Sequence, residues 1–93
     1  MKSIIEGDSK EICFRCGRYG QTEEHHIFGG PNRRLSEKYG LKVHLCHFCH
    51  NEPPYGVHFN RENELELKRI GQREFEKAYP NIDFLQTFGR NYL

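Results

Sequence analysis

Ninety-three residues, 35% apolar and 29% charged, leave room for a single domain, residues 1–93, whose apolar core alone gives marginal stability, so a bound metal or cross-link is expected to staple it. No apolar run approaches the ~18 residues of a membrane span, and Met1 to Asp8 does not read as a signal peptide, which excludes a membrane protein and points to a reducing cytosol. A net charge of +1 excludes a strongly basic chain, but residues 25–50 hold four basic residues against one acidic and five of the six histidines, a local positive field that suits a phosphate ligand or is merely solvated.

In chain order, Met1 to Lys10 is expected to be a loose arm with a turn at Gly7-Asp8-Ser9. Cys13-Phe14-Arg15-Cys16 is a first C-x2-C knuckle, followed by Gly17, which is free to take positive φ. Gln21 to Phe28 reads as a short strand running into His25-His26, and Gly29 to Asn32 as a turn or extended loop. Arg33 to Tyr39 is expected to form one or two helical turns ended by Gly40. Leu41 to Leu45 alternates apolar and polar, the period of a strand, with Leu41, Val43 and Leu45 facing inward. It delivers the chain into a second knuckle, Cys46-His47-Phe48-Cys49.

Pro53 and Pro54 forbid a continuous helix beyond that knuckle. Asn60 to Tyr79 has a helical pattern with Asn60 as N-cap, Glu62 and Glu64 near the positive helix start, and Leu67, Ile70, Phe75, Ala78 and Tyr79 on one face. Pro80 stops it. Asn81 is expected to cap a short helix, Ile82 to Phe88, in a tail (80–93) whose Phe84, Leu85 and Phe88 dock on the core or on a second copy. These elements make an α+β fold with a short β-hairpin and a long C-terminal helix.

Cys13, Cys16, Cys46 and Cys49 form two C-x2-C pairs, and in a reducing compartment such pairs predict tetrahedral Zn2+ rather than two disulfides or four free thiols. A four-thiolate site is closed and does no chemistry itself. His25 and His26 are different: at a distorted strand end both imidazoles can serve one site, one as a metal ligand and the other taking a proton from water. His50 and His58, each just past a structured feature, are the candidates for completing the ligand set.

Two knuckles, a His-His-Ile strand end and then Leu45-Cys46-x-x-Cys49-His50-Asn51 resemble the HNH endonucleases of the ββα-metal (His-Me finger) class, in particular the small zinc-bearing proteins of phages and prophages. The resemblance spans roughly Cys13 to Tyr79. It implies His25 as a ligand of a catalytic divalent cation (Mg2+, Mn2+, Ni2+ or Zn2+), His26 as the general base, and His50 with His58 as the remaining ligands. Glu23, two residues before the pair, is similar to the acidic residue of colicin-type nucleases and joins the catalytic group. The family's central Asn is missing from the strand before Cys46, so Asn51, Asn32, Asn60 or His44 stands in to orient the base.

The activity implied is one-metal hydrolysis of DNA phosphodiester bonds with weak sequence specificity, leaving 5′-phosphate and 3′-hydroxyl ends. Arg33 and Arg34 are placed to clamp backbone phosphates or are a solvated pair. The alternative is a catalytically degenerate zinc module that binds nucleic acid or a protein partner. DNA is the expected partner, with larger phage proteins beside it, and the expected setting is the cytoplasm of a bacterial host, as a monomer or weak homodimer.

Overall fold

The alternating stretch before Cys46 becomes a strand, and its partner is the segment carrying the histidine pair. In the computed structural model, which describes residues 1–93, β1 (Glu23–His26) pairs antiparallel with β2 (Lys42–Leu45), placing His25 opposite Val43 and His26 opposite Lys42. Successive strand residues face opposite sides. Glu23 and His25 therefore share the side of Val43 and Leu45, while Glu24 and His26 share that of Lys42 and His44. Leu41, Val43 and Leu45 are fully buried, as the alternation requires.

β1 is shorter than the expected Gln21 to Phe28 because Ile27 and Phe28 turn into the core. The hydroxyl of buried Ser36 replaces the lost ladder bonds: Oγ accepts from the Phe28 N–H at 2.9 Å and donates to the Phe28 carbonyl at 2.8 Å. Ser36 lies on α1 (Arg33–Tyr39), which follows a 3-10 turn at Gly30–Asn32 and crosses between the strands. α1 ends where Gly40 takes φ +72° and donates to the Ser36 carbonyl. A Cβ at Gly40 would lie 2.5 Å from the Lys2 carbonyl oxygen, so only glycine fits that turn.

The second knuckle is one turn of helix, α2 (His47–Asn51), with Cys46 extended at its N-cap. Glu52, preceding Pro53, takes an extended conformation and ends it. The loop then returns onto α2: Val57 N–H donates to the Cys49 carbonyl at 2.9 Å and His58 N–H to the His50 carbonyl at 3.3 Å. This return brings His58 back beside His50 although the prolines bar a shared helix.

α3 (Arg61–Ala78) starts at Asn60, whose side chain accepts from the Asn63 N–H at 3.0 Å, and carries Glu62 and Glu64 in its first turn. Its buried stripe is narrower than the apolar pattern implies: Leu67, Gly71, Gln72 and Phe75 are buried, while Ala78 is exposed. At Gly71 the helix packs onto the end of β1, where an added Cβ would meet the Phe28 ring at 3.0 Å and Ile27 Cγ2 at 3.1 Å. The polar Gln72 is inside because it ties down the C-terminus, donating to Asn91 Oδ1 (2.7 Å) and accepting from the Tyr92 N–H (2.8 Å).

α4 (Phe84–Phe88) is capped by Asp83, which accepts from the Gln86 N–H at 3.0 Å, and not by the expected Asn81. Phe84 and Phe88 stack at 4.5 Å between ring centroids and pack on Phe75 and Phe28, whereas Leu85 points outward. The first ten residues are not loose. Ile5 is buried, Ile4 N–H donates to the Gly40 carbonyl, Ser3 Oγ donates to the Lys42 carbonyl, and Asp8 accepts from both the backbone N–H (2.7 Å) and the ring (2.8 Å) of His44. The apolar pair Ile4-Ile5 and the acceptors of Asp8 give this segment a reason to pack that its turn-rich composition conceals. No helix is long and apolar enough to cross a membrane.

Candidate functional site

The first ligand cluster joins the N-terminal knuckle to the junction of β2 and α2. Phe14 N–H donates to the His44 carbonyl at 2.8 Å, which seats the first knuckle against β2 beside Cys46. The four sulfurs of Cys13, Cys16, Cys46 and Cys49 lie within 4.8 Å of one another, with Cys16 and Cys46 at 3.7 Å, and all four are free thiols. The two-disulfide alternative does not apply.

The thiols are unequal. Burial opposes ionisation of Cys13, but backbone N–H groups around it, including those of Cys16 and Cys46, more than offset this and hold it at about 6. Burial and the neighbouring Cys46 and Cys13 push Cys49 up. Cys16 is also raised: an Arg18 backbone hydrogen bond lowers it, but burial and the neighbouring thiols prevail. Cys13 ionises readily while Cys16 and Cys49 resist gathering negative charge, so a cation among the sulfurs is what draws these thiols into the thiolate form together. These residues can hold a structural metal ion.

The second cluster lies on the other side of α2. One ring nitrogen from each of His25, His50 and His58 lies within 4.8 Å of the others. His25 comes from β1, His50 from α2 and His58 from the returning loop. The Nε2 atoms of His50 and His58 face each other at 3.0 Å, and the His25 ring stands edge-on to both at 5.1 and 5.2 Å between centroids. Burial, reinforced by the neighbouring histidines and Lys68, lowers His25 to about 3. Burial and His50 lower His58 as well. Both imidazoles are therefore neutral at pH 7, the form that ligates a metal.

Glu23 stands behind this cluster. Its Oε1 accepts from His50 Nδ1 at 2.8 Å and from Asn51 Nδ2 at 3.2 Å, and its Oε2 faces His47 Nδ1 at 3.0 Å. These hydrogen bonds, from His50 first and His47 next, hold Glu23 below the usual carboxylate range, and Glu23 in turn raises His47. With Nδ1 of His50 donating, its Nε2 keeps the lone pair that faces His25 and His58. Glu23 and Asn51 therefore orient the His50 ring and do not touch His26.

His26 faces the other side of the strand but reaches the same opening. A cleft of about 300 Å³ at the edge of β1 is lined by His25, His26, His50, His58 and Arg33, together with Glu24, Gly29 and Gly30. Arg34 is elsewhere, lining a separate hollow with Pro31, Leu35 and Lys38, because consecutive residues on α1 diverge by about 100°. None of the four residues expected to orient the base hydrogen-bonds to His26. Asn51 bonds Glu23, Asn32 donates to the Phe88 carbonyl, Asn60 caps α3 and His44 is held by Asp8.

The partner of His26 is a residue the sequence did not single out: Glu37 Oε1 lies 2.8 Å from His26 Nε2. Lys42 Nζ donates to both Glu37 oxygens at 3.1 Å, and the terminal amine reaches Glu37 Oε2 at 2.8 Å. The terminal amine, His26 and Lys42 hold the Glu37 carboxyl far below the usual carboxylate range. The one legible signal was that Glu37 is the sole acidic residue in a basic, histidine-rich stretch. Compared with models of protein families, with curated proteins and with solved structures, the chain gives no match.

Proposed function

We propose that this chain is a metal-dependent DNA endonuclease of the HNH type that hydrolyses phosphodiester bonds with a histidine base and one divalent cation. One observation carries the reading. Nε2 of His25 is buried with no hydrogen-bond partner, beside two further imidazoles and at the foot of an open cleft. A buried polar atom left without a partner costs about 1–3 kcal/mol, and a cation shared with His50 and His58 relieves that cost. Four sulfurs saturate a tetrahedral ion, which we assign as structural zinc, whereas three imidazoles leave positions for water and phosphate.

When bound, the cation supplies charge stabilisation to a phosphate oxygen and to the departing 3′ oxygen. His26, on the same cleft, takes a proton from the attacking water as its oxygen bonds to phosphorus and the bond to the 3′ oxygen breaks. Arg33 lies where it can pair with a neighbouring phosphate. The cleft offers little area for reading bases, which supports weak sequence specificity.

Incubating plasmid DNA with the protein in Mg2+, Mn2+ or Ni2+ tests the reading. Nicking is expected, and His26→Ala should lower its rate by about 10²- to 10⁴-fold, the usual contribution of a general base. Nicking that survives unchanged in the variant would remove His26 from this role.

A further inference from the structure

On the side of the hairpin facing away from the three imidazoles, Glu24, His26 and Glu37 also have ligand atoms within 4.8 Å of one another. Charge argues against a second cation there. Lys42, whose side chain is 8% exposed, places its ammonium 3.1 Å from both Glu37 oxygens and 3.4 Å from Glu24. The carboxylates already have their counter-charge, and a metal ion would sit against it. Lys42 stands directly across the hairpin from His26, so the register that pairs the strands also sets this ammonium beside the carboxylate.

We propose that Glu37 is the positioning residue of His26, doing from α1 what no asparagine does in this chain. The inference rests on the nuclease reading above. An ionised carboxylate has lone pairs and no proton, so at 2.8 Å it accepts the Nε2–H of His26. This selects one tautomer and leaves the lone pair on Nδ1, the nitrogen that takes the proton from water. The imidazolium so formed still donates Nε2–H to Glu37 and returns the Nδ1 proton to solvent, while the departing 3′ oxygen takes a proton from solvent water to become the 3′-hydroxyl. Lys42 keeps Glu37 an acceptor, because a protonated Glu37 would donate to Nε2 and impose the opposite tautomer. The His26 side chain is 10% exposed, which leaves little water to make that choice instead.

The test uses the full chain with its metals bound and reads His26 in two ways. Nitrogen-15 NMR of the histidine rings should show His26 as the Nε2–H tautomer in the wild type. Glu37→Ala should lose that preference, and Glu37→Gln, which retains an acceptor oxygen, should keep most of it. Single-turnover nicking should fall on the order of 10- to 100-fold in Glu37→Ala with KM little changed, less than the roughly 10² to 10⁴ lost with the general base itself. Glu37→Gln should lie between. A His26 tautomer that does not respond to Glu37→Ala, or an unchanged nicking rate in that variant, overturns the proposal while wild-type nicking keeps the nuclease reading. A wild-type protein that never nicks overturns the nuclease reading, and the catalytic role of Glu37 with it. The ring spectra then still show whether Glu37 sets the tautomer.

Discussion

The four-thiol cluster and the three-imidazole cluster share a single turn of helix, yet they are built for opposite ends. Cys49 and His50 are consecutive on α2 and diverge by about 100°. The helix sends one side chain to the sulfur knot and the next to the cleft. The knot draws all its donors from two chain segments and leaves no coordination position for a substrate. The imidazole cluster draws its three rings from three elements, opens on a cleft, and has a carboxylate behind one ring and the proposed base beside another.

The strongest way to break this division is at the knot. Cys46→Ser should abolish the cooperative thermal transition, because structural zinc contributes on the order of 10 kcal/mol in small domains and total stability is itself only about 5–15 kcal/mol. Calorimetry on the variant reads this. A variant that melts cooperatively within a few degrees of wild type would show that the knot does not staple the fold.

At the imidazole cluster the same kind of change should spare the fold. His50→Ala is expected to reduce bound metal from about two equivalents to one while the melting transition persists. Glu23→Gln, which leaves all three imidazoles present but weakens the acceptor behind His50, should weaken that second ion by about 10- to 100-fold. Metal analysis after dialysis and a competition titration measure both. Loss of both ions in His50→Ala would mean the clusters are not independent.

The mildest test is the proton count. His25 is held at about 3 and His58 is lowered, so both are already neutral at pH 7 and release almost nothing when a cation binds. Cys16 and Cys49 are raised, so they are protonated at pH 7 and must each give up a proton. Calorimetric titration in buffers of different ionisation heat should therefore find roughly two or more protons released per ion at the knot and fewer than one at the imidazoles. As pH falls from 7.5 to 5.5, affinity should drop steeply at the knot and slightly at the imidazoles. Equal slopes would contradict the difference in their environments. The linkage to folding has the same origin: a His25 pKa below its unfolded value means the unfolded chain binds the proton, so stability is lost as pH falls from about 6.5 towards 3.

Features that depend on near neighbours in the chain could be read without coordinates. The alternation at Leu41, Val43 and Leu45 set a strand with one buried side, and Asn60 with Glu62, Glu64 and Pro80 bounded α3. The spacing of the four cysteines marked a metal knot, since C-x2-C limits how far apart two sulfurs can sit. Ser3, Ile4 and Asp8 escape a local reading because their partners, Lys42, Gly40 and His44, lie more than 30 residues away. Asn81 is the expected cap of a helix over Ile82 to Phe88, but the helix begins only at Phe84 and Asp83 caps it, a shift of start that cap residue types alone do not fix.

Residue types and local periodicity thus determined that this chain has a hairpin, a long helix, a sulfur knot and a surplus of neutral ligands. The tertiary structure alone decided which groups meet across the hairpin. It set Glu23 and Asn51 behind His50, Arg33 but not Arg34 on the cleft, and Glu37 against His26. The physical reason is that a hydrogen bond is settled within about 3 Å, and the positions of residues 11 to 36 apart at that resolution depend on strand register, helix phase and the closure of loops, none of which a local pattern encodes.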